Sequence, residues 1–173
     1  ARAGTGGALE RADRRPARFL GGAAFAAGGS DLAADRAERR RALAARGYTM
    51  GHFPQSIDLS TLGGWCSTRA AGQFSTLYGN IEDMLLGCEV VVPGGACWRL
   101  PASVRSSVGP DLKSIFLGSE GTLGVFTELT FRIHPLPEHR SGQSFRLPDL
   151  RAGIEILRHV MRAGWRPAFP RAP

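Results

Sequence analysis

The chain has 173 residues, 43% of them hydrophobic, which allows one domain or one domain and part of a second. No run of about 18 apolar residues is present to span a membrane as a helix, and the opening ARAGTGGALERADRR has neither an initiating methionine nor the apolar centre of a secretory signal, so it reads as a fragment. Twenty-two basic against 15 acidic side chains give a formal charge of +7. That balance invites a nucleic-acid reading, yet Lys113 is the only lysine and the one dense cluster, Arg36–Arg41, also contains Glu38 and has no interleaved aromatics, as a solvated helix face would.

Residues 1–30 are rich in Gly, Ala and Arg with weak periodicity, and read as poorly ordered or as the remnant of a preceding subdomain. DLAADRAERRRALAAR, Asp31–Arg46, predicts a helix with Leu32, Ala33, Ala37, Leu43 and Ala44 near one face, capped by Ser30 or Asp31 and ended by Gly47. From Gly47 to Asn80, glycines mixed with Ser and Thr predict turns with one short helical turn near Thr61–Ser67. MLLGCEVVV predicts a strand, Pro93–Gly95 a hairpin turn and ACWRL the partner strand. VGPDLKSIFLG predicts a short helix with Pro110 at its first position and Gly118 as its stop.

Leu123, Val125, Leu129, Phe131 and Ile133 then alternate with polar residues and glycine across Thr122–Ile133, predicting a strand blurred only at Phe126 and Thr127. Asp149 caps a last helix through Ala163, with Leu150, Ile154, Leu157 and Met161 expected to face a core. The three cysteines, Cys66, Cys88 and Cys97, have no CxxC spacing and read as isolated thiols in a reducing compartment.

Between the short helix and the long strand lies GSEGTLG, Gly118–Gly124, with three glycines where a helix stop needs one. Without a Cβ, backbone amides can press against a ligand, and several such amides form an anion- and carbonyl-binding surface. Ser119 and Thr122 add hydroxyl donors. STLGGWCSTRAAG, Ser60–Gly72, has the same character. Two such loops suggest a long polar ligand in an extended cleft, and a dinucleotide has that shape. No G-x-G-x-x-G opens a helix after a strand and no P-loop lysine follows, so the site is not of Rossmann type.

The stretches PQSIDLSTLGGWCSTRAAGQFSTLYGNIEDMLLGCEVVVPGG and GPDLKSIFLGSEGTLGVFTELTFRIHPLPE closely resemble the flavin-binding (PCMH-type) domain of the vanillyl-alcohol oxidase/p-cresol methylhydroxylase superfamily, nearest to its alkyldihydroxyacetonephosphate synthases and their bacterial relatives, over about Arg46–Gly164. The resemblance implies an α+β fold: the second FAD-binding subdomain, a mixed or antiparallel sheet with flanking helices, over residues 31–140, truncated, and the start of a substrate or cap domain over 141–173. It implies FAD as cofactor, lined by Gln55, Ser56, Ile57, Asp58, Leu59, Ser60 and Thr61, by Thr68, Arg69, Ala70 and Ala71, and closed over by Gly118, Ser119, Glu120, Gly121, Thr122, Leu123 and Gly124.

Synthases of this kind exchange the acyl group of acyl-dihydroxyacetone phosphate for a fatty alcohol in ether-lipid synthesis without net redox. Related oxidoreductases take a hydride from a 2-hydroxy acid of lactate or glycolate type, or from an alcohol. The resemblance further implies a lipid-like small-molecule substrate, no nucleic-acid partner, peripheral membrane association through parts beyond this chain, a homodimer, and a cytoplasmic location, the animal synthases being peroxisomal. A basic nucleic-acid-binding domain is the reading of another class.

Two departures stand out. The family's glycine-rich pyrophosphate loop is approached only by Gly4–Gly7 and Ala26–Asp31, so the first subdomain is missing or altered. The family's catalytic tyrosine and histidine-rich segment would fall after Pro173; Tyr48 and Tyr78 do not match, and no catalytic residue is assigned. The isolated chain is therefore expected to hold FAD weakly or not at all. Among other side chains, Arg69 is expected at the flavin or a phosphate, Glu120 is expected to hold its loop through backbone amides, Glu82 and Asp83 to cap a helical turn, and Trp65 to pack. His52 reads equally as a packed residue or a contact. His134, His139 and His159 read as loop and helix-surface residues without metal spacing.

Overall fold

The computed structural model describes residues 18–20, 23–29 and 35–168, with side chains from Arg40 onward. An antiparallel sheet organises the chain around one long strand, β6 (Val125–Pro135). On one side β6 pairs with β2 (Ala23–Gly29), which pairs in turn with β1 (Arg18–Leu20). On the other side it pairs with β4 (Leu85–Val91), itself paired with β5 (Cys97–Leu100) through the Pro93–Gly95 turn. A two-residue strand, β3 (Tyr48–Thr49), joins the far end of β6 at His134 and Pro135. The predicted α+β class with an antiparallel sheet is the class observed.

The strands β1 and β2 fall in the stretch whose periodicity assigns no element. AAFAAGG carries no strand signature of its own; six residue pairs with β6, from Ala24–Ile133 to Gly29–Glu128, supply the structure that propensity does not. The blur at Phe126 and Thr127 also has a cause. Pairing with β4 runs Glu128 to Glu89 and then Phe126 to Val90, which leaves Thr127 as the extra residue of a bulge. Phe126 and Thr127 are consequently both buried, and Leu129, Phe131 and Ile133 continue the inward face. Leu123 and Val125, expected inward, are instead 43% and 62% exposed because the bulge reverses the alternation before them. Thr127 donates its hydroxyl to the Glu89 carboxylate at 2.9 Å, and Arg99 donates Nε–H to the same carboxylate at 2.9 Å. This arginine, chiefly, holds the Glu89 carboxyl below its ordinary range.

Six helices occur among the described residues. α1 (Asp35–Ala44) ends two residues before its predicted limit, and its predicted start and caps lie outside the described residues; Gly47, at φ 76°, closes the turn behind it. α2 (Leu62–Ser67), α3 (Ser75–Tyr78) and α4 (Ile81–Met84) follow. Asp83 accepts from the Asn80 amide at 2.8 Å and so caps α4 as expected, whereas Glu82 does not. α5 (Lys113–Phe116) starts after Pro110 rather than on it, and Asp111 accepts from Ser114 and Lys113 side chains at its start. The core joins Leu62, Trp65 and Cys66 of α2 to Ile81 and Met84 of α4, Leu85, Cys88 and Val90 of β4, Phe116, Leu117, and Phe126, Leu129 and Phe131 of β6. Cys66 and Cys88 are buried free thiols, pushed upward in pKa by burial, and Cys97 is exposed.

The last helix, α6 (Leu150–Arg162), forms as predicted, with the Asp149 carboxylate accepting from the Ala152 amide at 2.7 Å. Its apolar stripe does not enter the core. Leu150, Ile154 and Met161 are 60%, 54% and 46% exposed, while Leu157 is half-buried; helical spacing identifies a face but not what covers it. Replacing Leu129 by Ala should therefore cost about 3 kcal/mol of stability, as for a fully enclosed aliphatic side chain, while Ile154→Ser should change it by less than about 0.5 kcal/mol. Urea denaturation of the two variants checks the pair; equal losses would mean that α6 belongs to the core.

Candidate functional site

The site begins at α2. The Thr61 hydroxyl accepts from the Gly64 amide at 3.0 Å and fixes the start of this six-residue helix. Before it, Gln55–Leu59 coil through consecutive turns, and Ser60 ties them down: its hydroxyl donates to the Ser56 carbonyl at 2.6 Å and accepts from the Trp65 indole N–H at 2.6 Å. Trp65 thus packs, as expected, and also braces this turn. The braced turn presents Gln55, Asp58 and Leu59 to solvent, with Leu59 89% exposed. Thr68 and Arg69 leave the other end of α2, about 9 Å away along its axis, with Arg69 in the left-handed region at φ 50°.

The second loop comes off α5. Gly118, Glu120 and Gly121 take φ values of 72°, 53° and 78°. The Gly118 amide donates to the Cys66 carbonyl at 3.0 Å, and the Glu120 amide donates to the Ser67 carbonyl at 2.9 Å. In the reverse direction Arg69 Nε–H donates to the Leu117 carbonyl at 3.3 Å. Three hydrogen bonds therefore join two segments some fifty residues apart, and each loop has one non-glycine residue in a backbone region that bulky residues seldom occupy. A Cβ on Gly118 would lie 2.8 Å from Arg69 Nε, and one on Gly124 would lie 2.6 Å from Val90 Cγ1. Glycine is required at both positions for contact between protein segments, a demand separate from any ligand.

The expected site residues thus divide. Thr68–Ala71 and Gly118–Gly124 are brought together directly; Gln55–Thr61 joins them through α2. Two expectations are corrected. Glu120 holds its loop through its own amide and not through its carboxylate, and the Thr122 hydroxyl is already committed to the Ser119 carbonyl at 2.6 Å. Other donors remain: the exposed Gly121 and Leu123 amides form no hydrogen bond within the described chain, and the Ser119 hydroxyl is buried without a partner. A glycine-lined edge with two free amides and an orphan hydroxyl fits a ligand rich in acceptors, such as the pyrophosphate and ring carbonyls of a flavin nucleotide. No group of three or more His, Cys, Asp or Glu suited to a metal occurs among the described residues.

Spacing could not reveal two features. The carbonyls of Cys66 and Ser67 have no sequence signature as loop anchors. His52 is 3% exposed, lies edge-on to the Trp65 ring with centroids 4.9 Å apart, and has neither ring nitrogen hydrogen-bonded. Burial lowers its pKa from 6.5 to about 4. His134, expected at the surface, is instead half-buried in β6 against the Tyr78 ring. His159 does sit on a helix surface, its Nδ1 bonded to the Glu155 carbonyl.

Residues 36–101 match the FAD binding domain family, a stretch that contains Gln55–Ala71 and ends before Gly118. An uncharacterised FAD-linked oxidoreductase of Escherichia coli is 44% identical over 131 residues, 75% of this chain and 27% of that protein. The alkyldihydroxyacetonephosphate synthase of Caenorhabditis elegans is 45% identical over 128 residues, 74% of this chain and 21% of that protein. A solved alkyldihydroxyacetonephosphate synthase structure aligns with 66% of this chain at a TM-score of 0.58 and 37% identity, over 20% of its own length. Residues 36–101 thus carry an FAD binding domain match, and with the FAD-linked relatives this supports FAD as the cofactor. The chain is similar both to alkyldihydroxyacetonephosphate synthases and to FAD-linked oxidoreductases, and spans about a quarter of their length or less.

His52 gives this region a pH signature. The unfolded chain binds a proton near pH 6.5 that the folded chain resists down to about pH 4. Stability should therefore be highest above pH 6.5 and fall by up to about 3 kcal/mol between pH 6.5 and 4. His52→Gln should flatten that part of the profile in urea titrations run at each pH; an unchanged slope would assign the effect to other groups.

Proposed function

We propose that Thr68–Ala71 and Gly118–Gly124, together with Gln55–Thr61, form one wall of the flavin site of an enzyme of the alkyldihydroxyacetonephosphate synthase type, which exchanges the acyl group of acyl-dihydroxyacetone phosphate for a fatty alcohol. The observation that carries the reading is that the Gly118 and Glu120 amides bond the Cys66 and Ser67 carbonyls just before Thr68 and Arg69 bonds the Leu117 carbonyl just before Gly118, with the Gly121 and Leu123 amides left unused. The 45% identity to the nematode synthase supports the substrate class.

Bound FAD supplies an electron-accepting isoalloxazine ring, and the protein supplies orientation and electrostatics. The Gly121 and Leu123 amides would hold the cofactor's acceptor oxygens, and the exposed Leu59 would offer it an apolar contact. Gly118 lets the loop close under Arg69, and Gly124 keeps it against β4. Because these donors are fixed by bonds within the protein, binding requires little further ordering of the loop. The Escherichia coli oxidoreductase supports a second reading, a redox reaction at the same site, which we take as oxidation of a 2-hydroxy acid or an alcohol. Neither reading gives the +7 charge a nucleic-acid role.

Two measurements test this. Flavin titration should show Gly121→Ala weakening FAD affinity about tenfold, since a Cβ there meets open space but strains a left-handed backbone by about 1–2 kcal/mol. Assayed in the intact protein, the synthase reading predicts incorporation of labelled fatty alcohol without lasting loss of flavin absorbance. Anaerobic bleaching of the flavin by 2-hydroxy acids, without alcohol incorporation, would replace that reading with the oxidoreductase one.

A further inference from the structure

A groove of about 410 Å³ lies at the opposite end of β6 from the glycine loop. Its lining is apolar at Leu43 and Ala44 of α1, Met50, Phe53 and Leu136, and includes Tyr48 and Thr49 of β3. Three arginines also line it, Arg40 and Arg41 from α1 and Arg140 from the segment after β6. Among the described side chains no carboxylate lines it, and Arg41 and Arg140 have no ion-pair partner. Arg40 lies 5.2 Å from the centre of the Phe53 ring, which holds one guanidinium over the apolar floor rather than out in solvent. β6 has eleven residues, so its two ends are about 33 Å apart. The groove is therefore separate from the Gly118–Gly124 wall.

We propose that this groove binds a small organic anion with an apolar body, its phosphate or carboxylate head held by Arg40, Arg41 and Arg140 and its body laid on Met50, Phe53 and Leu136. Size selects the occupant. The volume falls in the range of small-molecule sites, whereas a protein partner needs roughly 800 Å² of surface on each side. Charge selects the head, because guanidinium forks match the oxygens of carboxylate and phosphate. The aliphatic floor selects the body, since a free inorganic anion would leave it wet and gain nothing from it.

The test is calorimetric titration of the full chain with dodecyl phosphate below its micelle concentration, alongside dodecanol and inorganic phosphate. Dodecyl phosphate should bind with saturable one-to-one stoichiometry at least tenfold tighter than either control. Arg41→Glu and Arg140→Glu, both at exposed positions, should each weaken it at least fivefold, and Leu136→Gln should weaken dodecyl phosphate without affecting inorganic phosphate. Equal affinity for dodecanol, equal affinity for inorganic phosphate, non-saturating uptake or indifference to both charge reversals would each overturn the proposal. FAD titrated in parallel separates the two sites: displacement of dodecyl phosphate by FAD would also overturn it, and leaves the flavin reading standing.

Discussion

Two backbone hydrogen bonds hold the functional half of this structure in place: Gly118 N–H to the Cys66 carbonyl and Glu120 N–H to the Ser67 carbonyl. Without them, the loop after α5 would be a connector between a short helix and a strand. With them, it is an extension of the C-terminal end of α2, and the positions of its remaining amides are set by the core beneath. Cys66 is fully buried and Phe116 and Leu117 are nearly so; each belongs to the same apolar cluster as Leu129 at the centre of β6. The rigidity of the loop is thus derived from the sheet, although its own residues contribute almost no apolar surface.

This arrangement explains why glycine and left-handed backbone concentrate where they do. Each bond between the loops requires two main chains to approach closely, which places Gly118 under the Arg69 side chain and Gly124 against Val90 and Val91. Arg69 and Glu120 take the strain that glycine would have avoided. In exchange, Arg69 reaches the Leu117 carbonyl and adds a third tie. Strain of this kind persists only where surrounding contacts overdetermine it, and here the contacts are the loop-to-loop bonds themselves. A ligand entering such a site meets donors already in position.

Much of this was legible in the sequence, and for identifiable reasons. The glycine spacing in GSEGTLG and the Ser/Thr-rich run before Arg69 marked two places for close approach of backbone, and the resemblance to flavin-binding domains assigned both to one ligand. The Asp149 cap, the Pro93–Gly95 turn and the strand around Leu129 follow local rules that tertiary context did not override. What failed depended on partners. Ala23–Gly29 is a strand only because β6 lies beside it. Thr127 is inward only because β4 is one residue short of it. The stripe on α6 is real as a pattern, but most of it stays outside the core. Anchoring by the Cys66 and Ser67 carbonyls was invisible, because a main-chain acceptor leaves no mark on residue choice.

The basic character of the chain also resolves into local roles. Arg99 neutralises Glu89 beside the bulge, Arg69 ties the loops, and Arg40, Arg41 and Arg140 ring an apolar groove away from them. The central claim is that the loop is locked by protein contacts and leaves two amides for the cofactor. Residue-level amide hydrogen exchange, with and without FAD, tests it most directly. Gly118 and Glu120 should be protected in both states, and Gly121 and Leu123 should become protected only when FAD is present. Fast exchange at Gly118 and Glu120 without FAD, or unchanged exchange at Gly121 and Leu123 with FAD bound, would contradict the account.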